Sequence, residues 1–464
     1  MPLFPPPPPP KPLIPADKID RVYSRMRFKV FLGAFLGYAG YYLVRKNLSL
    51  AAPGMIDGGL ISKAQVGVAM SAVSIAYAFS KFIMGSVSDR SDARKFLVIG
   101  LLLSALTMLA TGLVPFSPAH PTLNMAAVFV LMSAVGWLSG MGWPPCGRVM
   151  AHWFSPNERS FKMSVWNTSH TFGSGSLGLL ATAGMTILLA LGVPAAQTWK
   201  GAFILPAIVA AAIALICLLL LRDTPQSCGL PSVNDWRKDY SGVAAKVSDT
   251  EKIPFRKLFI DYVFKNKLLW AVAVANIFVY LVRYGIGDWA PTYLQENGIM
   301  TAAESNLAFS LHNYAGIFGT VVCGWISSRF FKGRCAPPNV IFMALVLVGT
   351  LVYVQSGNLA GGNPQTQKTL IFISLILIGF CIYGPVALIG IQALNLVPKN
   401  AAGTAAGFVG LFGYLFGDAF LAKIAMGAIV QNAGWNVSLM VFPLACVLAI
   451  ILCALPWKSE KAAA

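Results

Sequence analysis

Seven ionisable side chains interrupt stretches that are otherwise apolar: Arg45, Lys46, Lys81, Arg283, Asp288, Asp418 and Lys423. A charge near the centre of a bilayer costs at least ~2.5 to 3.5 kcal/mol, so each implies a function or a partner. Five are cations and two are anions, a balance that suits an anionic ligand. Guanidinium fits phosphate best, because its charge is permanent and its planar fork engages two oxygens at once, whereas lysine grips less directionally. Arg45 and Arg283 each close the string Tyr-Leu-Val-Arg, at 42–45 and 280–283, an offset of 238 residues. Two such residues in equivalent repeats can face one another across a pseudo-two-fold axis and hold a dianion. The competing reading is that each pairs with an acid, as Asp288 could with Arg283, or snorkels to an interface; symmetric placement weighs against it.

His170, inside Trp-Asn-Thr-Ser-His-Thr, can donate to a phosphate oxygen and titrate near neutral pH, or can simply be satisfied by neighbouring hydroxyls. Tyr38, Tyr42, Tyr77, Tyr280, Tyr383 and Tyr414 can line a cavity or serve as packing anchors. Asp418 and Lys423 are five apart, about 140° round an α-helix, so they should not share a face, and each should seek a partner elsewhere. A structural ion pair is as good a reading of them as a substrate contact.

The elements that carry these residues must be membrane helices. Of 464 residues, 56% are hydrophobic and 11% charged, more apolar matter than one soluble core buries. Apolar spans begin near Phe28, Ala64, Phe96, Leu123, Phe161, Gly201, Lys267, Ser305, Val340, Thr369, Ala402 and Trp435, each long enough to cross ~30 Å of hydrocarbon. The expected fold is an all-α membrane protein with two pseudo-symmetric six-helix bundles. Its parts are a Pro-rich basic tail (1–27), an N-terminal bundle (28–221), a polar linker (222–266), a C-terminal bundle (267–457) and a short tail (458–464). The run Pro5 to Pro10 reads as a flexible polyproline segment rather than a docking motif.

The net charge of +18 does not call for nucleic acid, because basic residues concentrate in alternate loops. That positive-inside pattern puts both termini and the linker in the cytoplasm. The eight cysteines form no metal-binding grouping, and no metal, cofactor or catalytic constellation is expected; the chain does not read as an enzyme.

Further repetition supports two homologous halves. Ala52-Pro53 is answered by Ala290-Pro291 at the same offset of 238, and Gly85, Asp89 and Arg90 by Gly324, Ser328 and Arg329 at 239. Parallel repeats place a site at mid-membrane between the halves, reached by rocking one against the other. The cluster Gly85 to Lys95 resembles the signature loop of major facilitator transporters, where Asp89 and Arg90 would cap helix ends and act as a gating latch.

Longer strings narrow the resemblance: GYAGYYLVRKN (37–47), SKFIMGSVSDRSDAR (80–94), GMGWPPCGR (140–148), RDTPQSCGLP (222–231), YLVRYGIGDW (280–289) and AAGTAAGFVGLFGYL (401–415). With these the chain resembles the organophosphate:phosphate antiporter family over nearly its whole length. The resemblance implies a monomeric bacterial inner-membrane carrier that takes up an organic phosphate, glycerol-3-phosphate first, in exchange for inorganic phosphate. A hexose-6-phosphate antiporter and a transporter-like sugar-phosphate sensor are the alternatives. It implies that Arg45 and Arg283 grip phosphate, that His170 assists, and that Lys46, Lys81 and Asp288 form ion pairs that rearrange. Trp143 and Asn167 join the tyrosines around the cavity on the same ground. One departure is Asn313, which precedes Tyr314-Ala315-Gly316 where the glycerol-phosphate branch carries glutamate. Another is Gly417-Asp418 with Lys423, which is similar to the hexose-phosphate branch except that the lysine is one residue further on.

Overall fold

A computed structural model describes residues 5–239, 260, 263–397 and 402–459, so the middle of the 222–266 linker lies outside the described residues. Long helices account for nearly all the rest, and they group into twelve spans. The first is Ala16–Leu43 continued by Asn47–Asp57, the second Lys63–Asp89 and the third Ala93–Leu113. The fourth is Pro121–Ser139 with Trp143–Trp153, the fifth Pro156–Asn167 with Ser169–Ala190, and the sixth Gly201–Leu220. The seventh to tenth are Lys267–Glu296, Ala302–Phe331, Ala336–Val354 and Pro364–Asn395. The eleventh, described from Ala402 on, includes the helix Ala402–Leu411, passes through a π-helix at Phe412–Ala425 and runs into Met426–Ala454. A break at Gly434 (φ 77°) separates the twelfth span from it, in a region of backbone space that favours glycine.

Local signals account for several boundaries. Ser62 and Gln65 form a capping box at the start of the second span, Asp92 caps the third, and Thr301 with Glu304 boxes the eighth. Among the described residues eight helical stretches are long and apolar enough to cross a membrane, the stretch 405–459 holding two spans, and this is a multi-pass membrane protein. Many large apolar side chains point outward, such as Phe129, Leu179, Phe318 and Leu444, as expected where lipid is the solvent.

The helix of the first span starts at Ala16, well ahead of Phe28. Its extension is fixed by Tyr23, which stacks on Trp236 at 4.1 Å and donates to the Pro231 carbonyl at 3.3 Å. The proline run is docked rather than free. Lys11 and Ile14 donate backbone hydrogen bonds to Gln226 and Gly229, both 2.9 Å, and the Pro5 carbonyl accepts from Asp92 at 2.9 Å. Polyproline cannot satisfy its own carbonyls, so a neighbouring loop with free donors and acceptors recruits it.

Contacts between the halves gather on the face remote from the termini. Lys63 pairs with Glu296 at 2.8 Å, the Trp435 indole donates to the same carboxylate at 2.8 Å, and the Lys63 amide donates to Gln431 at 3.1 Å. Ser176 meets Tyr314 at 2.9 Å, and Asn306 donates to Thr182 at 3.1 Å. Gly67 allows the second span to lie directly on the Lys423 carbonyl of the eleventh, where a Cβ would have no room.

Candidate functional site: a cationic cavity between the halves

At mid-depth the halves enclose a cavity of about 200 Å³, open away from these contacts. Breaks interrupt three N-terminal spans beside it, and those in the fourth and fifth aim side chains into it. The first span interrupts its helix between Leu43 and Asn47, and the Asn47 amide makes good the loss by donating to the Leu43 and Ala202 carbonyls at 3.0 and 2.8 Å. The fourth breaks at 140–142 ahead of Trp143, and the fifth at Thr168, between Asn167 and His170. On the C-terminal side Tyr280, Arg283 and Tyr383 come from unbroken helices, and Tyr414 from the π-helix.

Arg283 is buried, with its guanidinium over Tyr383 at 4.4 Å and Tyr284 at 4.8 Å. Arg45 lies over Tyr77 at 3.7 Å and donates to the Tyr42 hydroxyl at 3.3 Å. Among the described residues neither arginine is in an ion pair, and the Arg283 Nε has no hydrogen-bond partner. Asp288 turns away from Arg283 toward Lys46. Aromatic faces therefore carry both cations without neutralising them.

Tyr38, Tyr42, Tyr77, Lys81, Trp143, Asn167 and His170 line the N-terminal wall of the cavity; Tyr280, Arg283, Tyr383 and Tyr414 line the other. Lys81 faces the Trp143 and Tyr77 rings at 5.2 and 5.9 Å and has no carboxylate partner among the described residues, so its implied ion pair is not formed here. His170 Nδ1 is bonded to the Asn167 carbonyl, so that nitrogen carries the proton. Its Nε2 can then donate to an anion only as imidazolium, or accept from a protonated phosphate while neutral.

Arg45 does not line the central cavity itself but stands behind Tyr42 and Tyr77, where it bounds a second, far smaller chamber of about 20 Å³ toward the closed face, in which the other charges meet. Lys46 binds Asp288 at 2.7 Å across the halves, and Lys423 reaches Asp418 at 2.8 Å and Asp288 at 3.8 Å. Ser74 joins the halves again, accepting from Lys423 at 2.6 Å and donating to Asp418 at 2.7 Å. The expectation that Asp418 and Lys423 occupy different faces fails because this segment is a π-helix. Its i to i+5 hydrogen bonding brings residues five apart into line.

The signature loop is organised by residues other than those expected. Arg148 donates to the Ser88 and Ser91 carbonyls at 3.1 and 2.8 Å and pairs with Asp223 at 3.0 Å, while Asp223 accepts from the Ala93 amide at 3.0 Å. Burial lifts the Asp223 carboxyl above its ordinary range, although the Ala93 amide and Arg148 pull it down. Arg90 is exposed at the end of the second span, and the Asp89 side chain lies outside what the structure describes.

Sequence reasoning missed Ser74, Tyr284 and Thr320. Serines and threonines are common inside helices, and nothing in their spacing marks these two. Tyr284 was legible in principle, since it follows Tyr280 by one turn and occupies the position in its repeat that Lys46 holds in the other. Asn313 donates to the Phe309 carbonyl and accepts the Tyr383 hydroxyl at 2.8 Å, so it orients the ring under Arg283.

Comparison with known proteins agrees with this architecture. The Major Facilitator Superfamily model matches residues 31–422. The chain belongs to that superfamily. It is 48% identical over 447 residues to a glycerol-3-phosphate transporter of Bacillus subtilis (strain 168), covering 96% of each chain. It is 35% identical over 470 residues to a protein of Chlamydia trachomatis serovar D named "Probable hexose phosphate transport protein", covering 99% of this chain and 97% of that one. A solved bacterial homologue of the human lysosomal transporter Spinster, in an inward-facing conformation, matches with TM-score 0.66 at 17% identity over 94% of each chain, which speaks to fold alone.

Proposed function

We propose that this protein takes up an organic phosphate, glycerol-3-phosphate first, in exchange for inorganic phosphate by alternating access. The observation that carries the reading is a pair of arginines, one from each half: Arg283 on the central cavity and Arg45 against the Tyr42 and Tyr77 rings that line it, both carried by aromatic faces and left without carboxylates among the described residues. Forty-eight per cent identity to a glycerol-3-phosphate transporter favours that substrate, and likeness to a hexose phosphate protein names the nearest competitor.

The phosphate enters from the open face, and the arginines of both halves close on its oxygens through charge-assisted, bidentate hydrogen bonds. His170 Nε2 follows the protonation state of the bound ester, and Lys81 adds a third positive charge along the path. Closing the cavity empty would leave two unneutralised guanidinium groups in a low dielectric, at a cost of several kcal/mol that a phosphate ligand relieves. Reorientation therefore requires a bound anion, and exchange follows. The charge network of Lys46, Asp288, Lys423 and Asp418 latches the closed face and must open when the halves rock. Both termini lie in the cytoplasm of a bacterial inner membrane on the distribution of basic loops, so the cavity seen here opens inward. The protein acts as a monomer, since each chain supplies both arginines.

Liposomes loaded with or without inorganic phosphate test the exchange. Uptake of labelled glycerol-3-phosphate is expected only into loaded vesicles, and equal uptake into both would refute obligatory exchange. Competition by glucose-6-phosphate ranks the substrates, and a clear preference for the hexose ester would reverse the ranking.

A further inference from the structure

A second basic site lies on the outer surface of the N-terminal half, well away from the central cavity. On the extended helix of the first span, Val22, Arg25, Met26, Lys29 and Val30 share one face by their i, i+3, i+4, i+7 spacing. Opposite them, Leu219, Leu220 and Arg222 finish the sixth span, and the groove between has a volume of about 260 Å³. The helix cannot turn this face elsewhere, because its other side is anchored by Tyr23 on Trp236 and by Arg27 on Glu158.

Three properties define what fits. No carboxylate lines the groove, and among the described residues none of Arg25, Lys29 and Arg222 is in an ion pair. The Arg222 guanidinium is oriented by Nη1, which donates to the Leu219 and Leu221 carbonyls at 3.1 and 2.6 Å, leaving Nε and Nη2 for a ligand. Beside the cations the walls are apolar, and Phe28 and Leu219 project outward at 68% and 71% exposure. The charges therefore sit where the apolar part of both helices ends, at the level of lipid headgroups.

We propose that this groove binds the phosphate of an anionic phospholipid, with Arg25, Lys29 and Arg222 around the headgroup and an acyl chain along Met26, Leu219 and Leu220. The shared chemistry is a phosphate anion, and free inorganic phosphate could supply it. The apolar walls and the position at the hydrocarbon boundary favour the lipid. The site does not depend on the transported cargo, because none of its residues touches the central cavity.

Native mass spectrometry of the full chain, exposed in turn to phosphatidylglycerol, phosphatidylcholine and inorganic phosphate, tests this. Wild type is expected to retain phosphatidylglycerol over phosphatidylcholine and not to release it to inorganic phosphate. Each of Arg25→Gln, Lys29→Gln and Arg222→Gln should weaken that preference roughly fivefold. Arg25→Gln and Lys29→Gln, on the exposed face of the first helix, keep the test decisive if Arg222→Gln folds poorly. Equal retention of both lipids by wild type, unchanged preference in the variants, or displacement by inorganic phosphate would each overturn the proposal.

Discussion

The first and seventh spans carry the same Tyr-Leu-Val-Arg and Ala-Pro strings, yet they treat the arginine differently. Arg45 sits inside a break in the helix, and Asn47 bonds back to the Leu43 carbonyl that the break exposes. After Arg283 the helix runs on, because Tyr284 and Gly285 stand where the first repeat has Lys46 and Asn47, and Gly285 is packed against the Phe442 ring. The break sends Lys46 across the interface to Asp288, with its ammonium 4.5 Å from the ring of Tyr284, its own counterpart in the repeat. One ancestral position has thus become a crossing cation in one half and the aromatic platform that receives it in the other. The difference extends further: breaks shape the first, fourth and fifth spans, whereas the C-terminal half supplies its cavity residues from continuous helices and one π segment. Pseudo-symmetry of sequence fixes where the arginines stand; local backbone chemistry decides which of them is fully buried on the cavity wall.

Substituting the arginines presses hardest on that contrast. Arg283→Lys, which removes a buried fork between two tyrosine rings, is expected to lower phosphate exchange by at least about a hundredfold. Arg45→Lys, at the half-buried position outside the cavity lining, should cost less, and equal losses in a transport assay would erase the distinction. Next comes the charge network. Asp288→Asn leaves Lys46 and Lys423 sharing one fewer carboxylate and should cost about 3 kcal/mol of closed-face stability, read as increased labelling of cysteines introduced there. Asp418→Asn should cost less, because Lys423 keeps Asp288 and Ser74. Gly67→Val places a side chain against the Lys423 carbonyl, so accessibility should shift toward the opposite face without loss of the folded bundles.

The smallest effect lies outside the membrane. Burial alone would raise the Glu158 carboxyl, but the hydrogen bond and charge of Arg27 outweigh it and hold the group below the ordinary glutamate range. A depressed folded value means that the pair stabilises the protein above the unfolded value of about 4.3 and loses that contribution as pH falls through the lower folded value. The thermal stability of wild type over Glu158→Gln should therefore be about 1 kcal/mol or less near neutral pH and should vanish in acid.

Much of this was legible in the sequence. Span starts at Gly201 and Lys267 coincide with the helices, because long apolar runs in lipid admit little besides a helix. Arg45 and Arg283 announced themselves by charge, repetition and residue type. The π-helix did not, since hydrogen bonding shifted by one residue leaves no trace in composition, and the Asp418–Lys423 pair followed from it. The docking of the proline run escaped notice for a related reason: its partners, the Gln226 and Gly229 carbonyls, are backbone groups that no side-chain pattern reveals. Ser74 likewise gains its role only from the interface that places it between Asp418 and Lys423.

The central claim is that both arginines hold one phosphate. A double-mutant cycle of inorganic phosphate binding to Arg45→Gln, Arg283→Gln and their combination measures it most directly. Arg283→Gln should weaken binding by about a hundredfold and Arg45→Gln by less, and the combination by far less than the product of the two, as expected of groups that share a ligand. Binding losses that multiply, or wild-type affinity in either single variant, would contradict it.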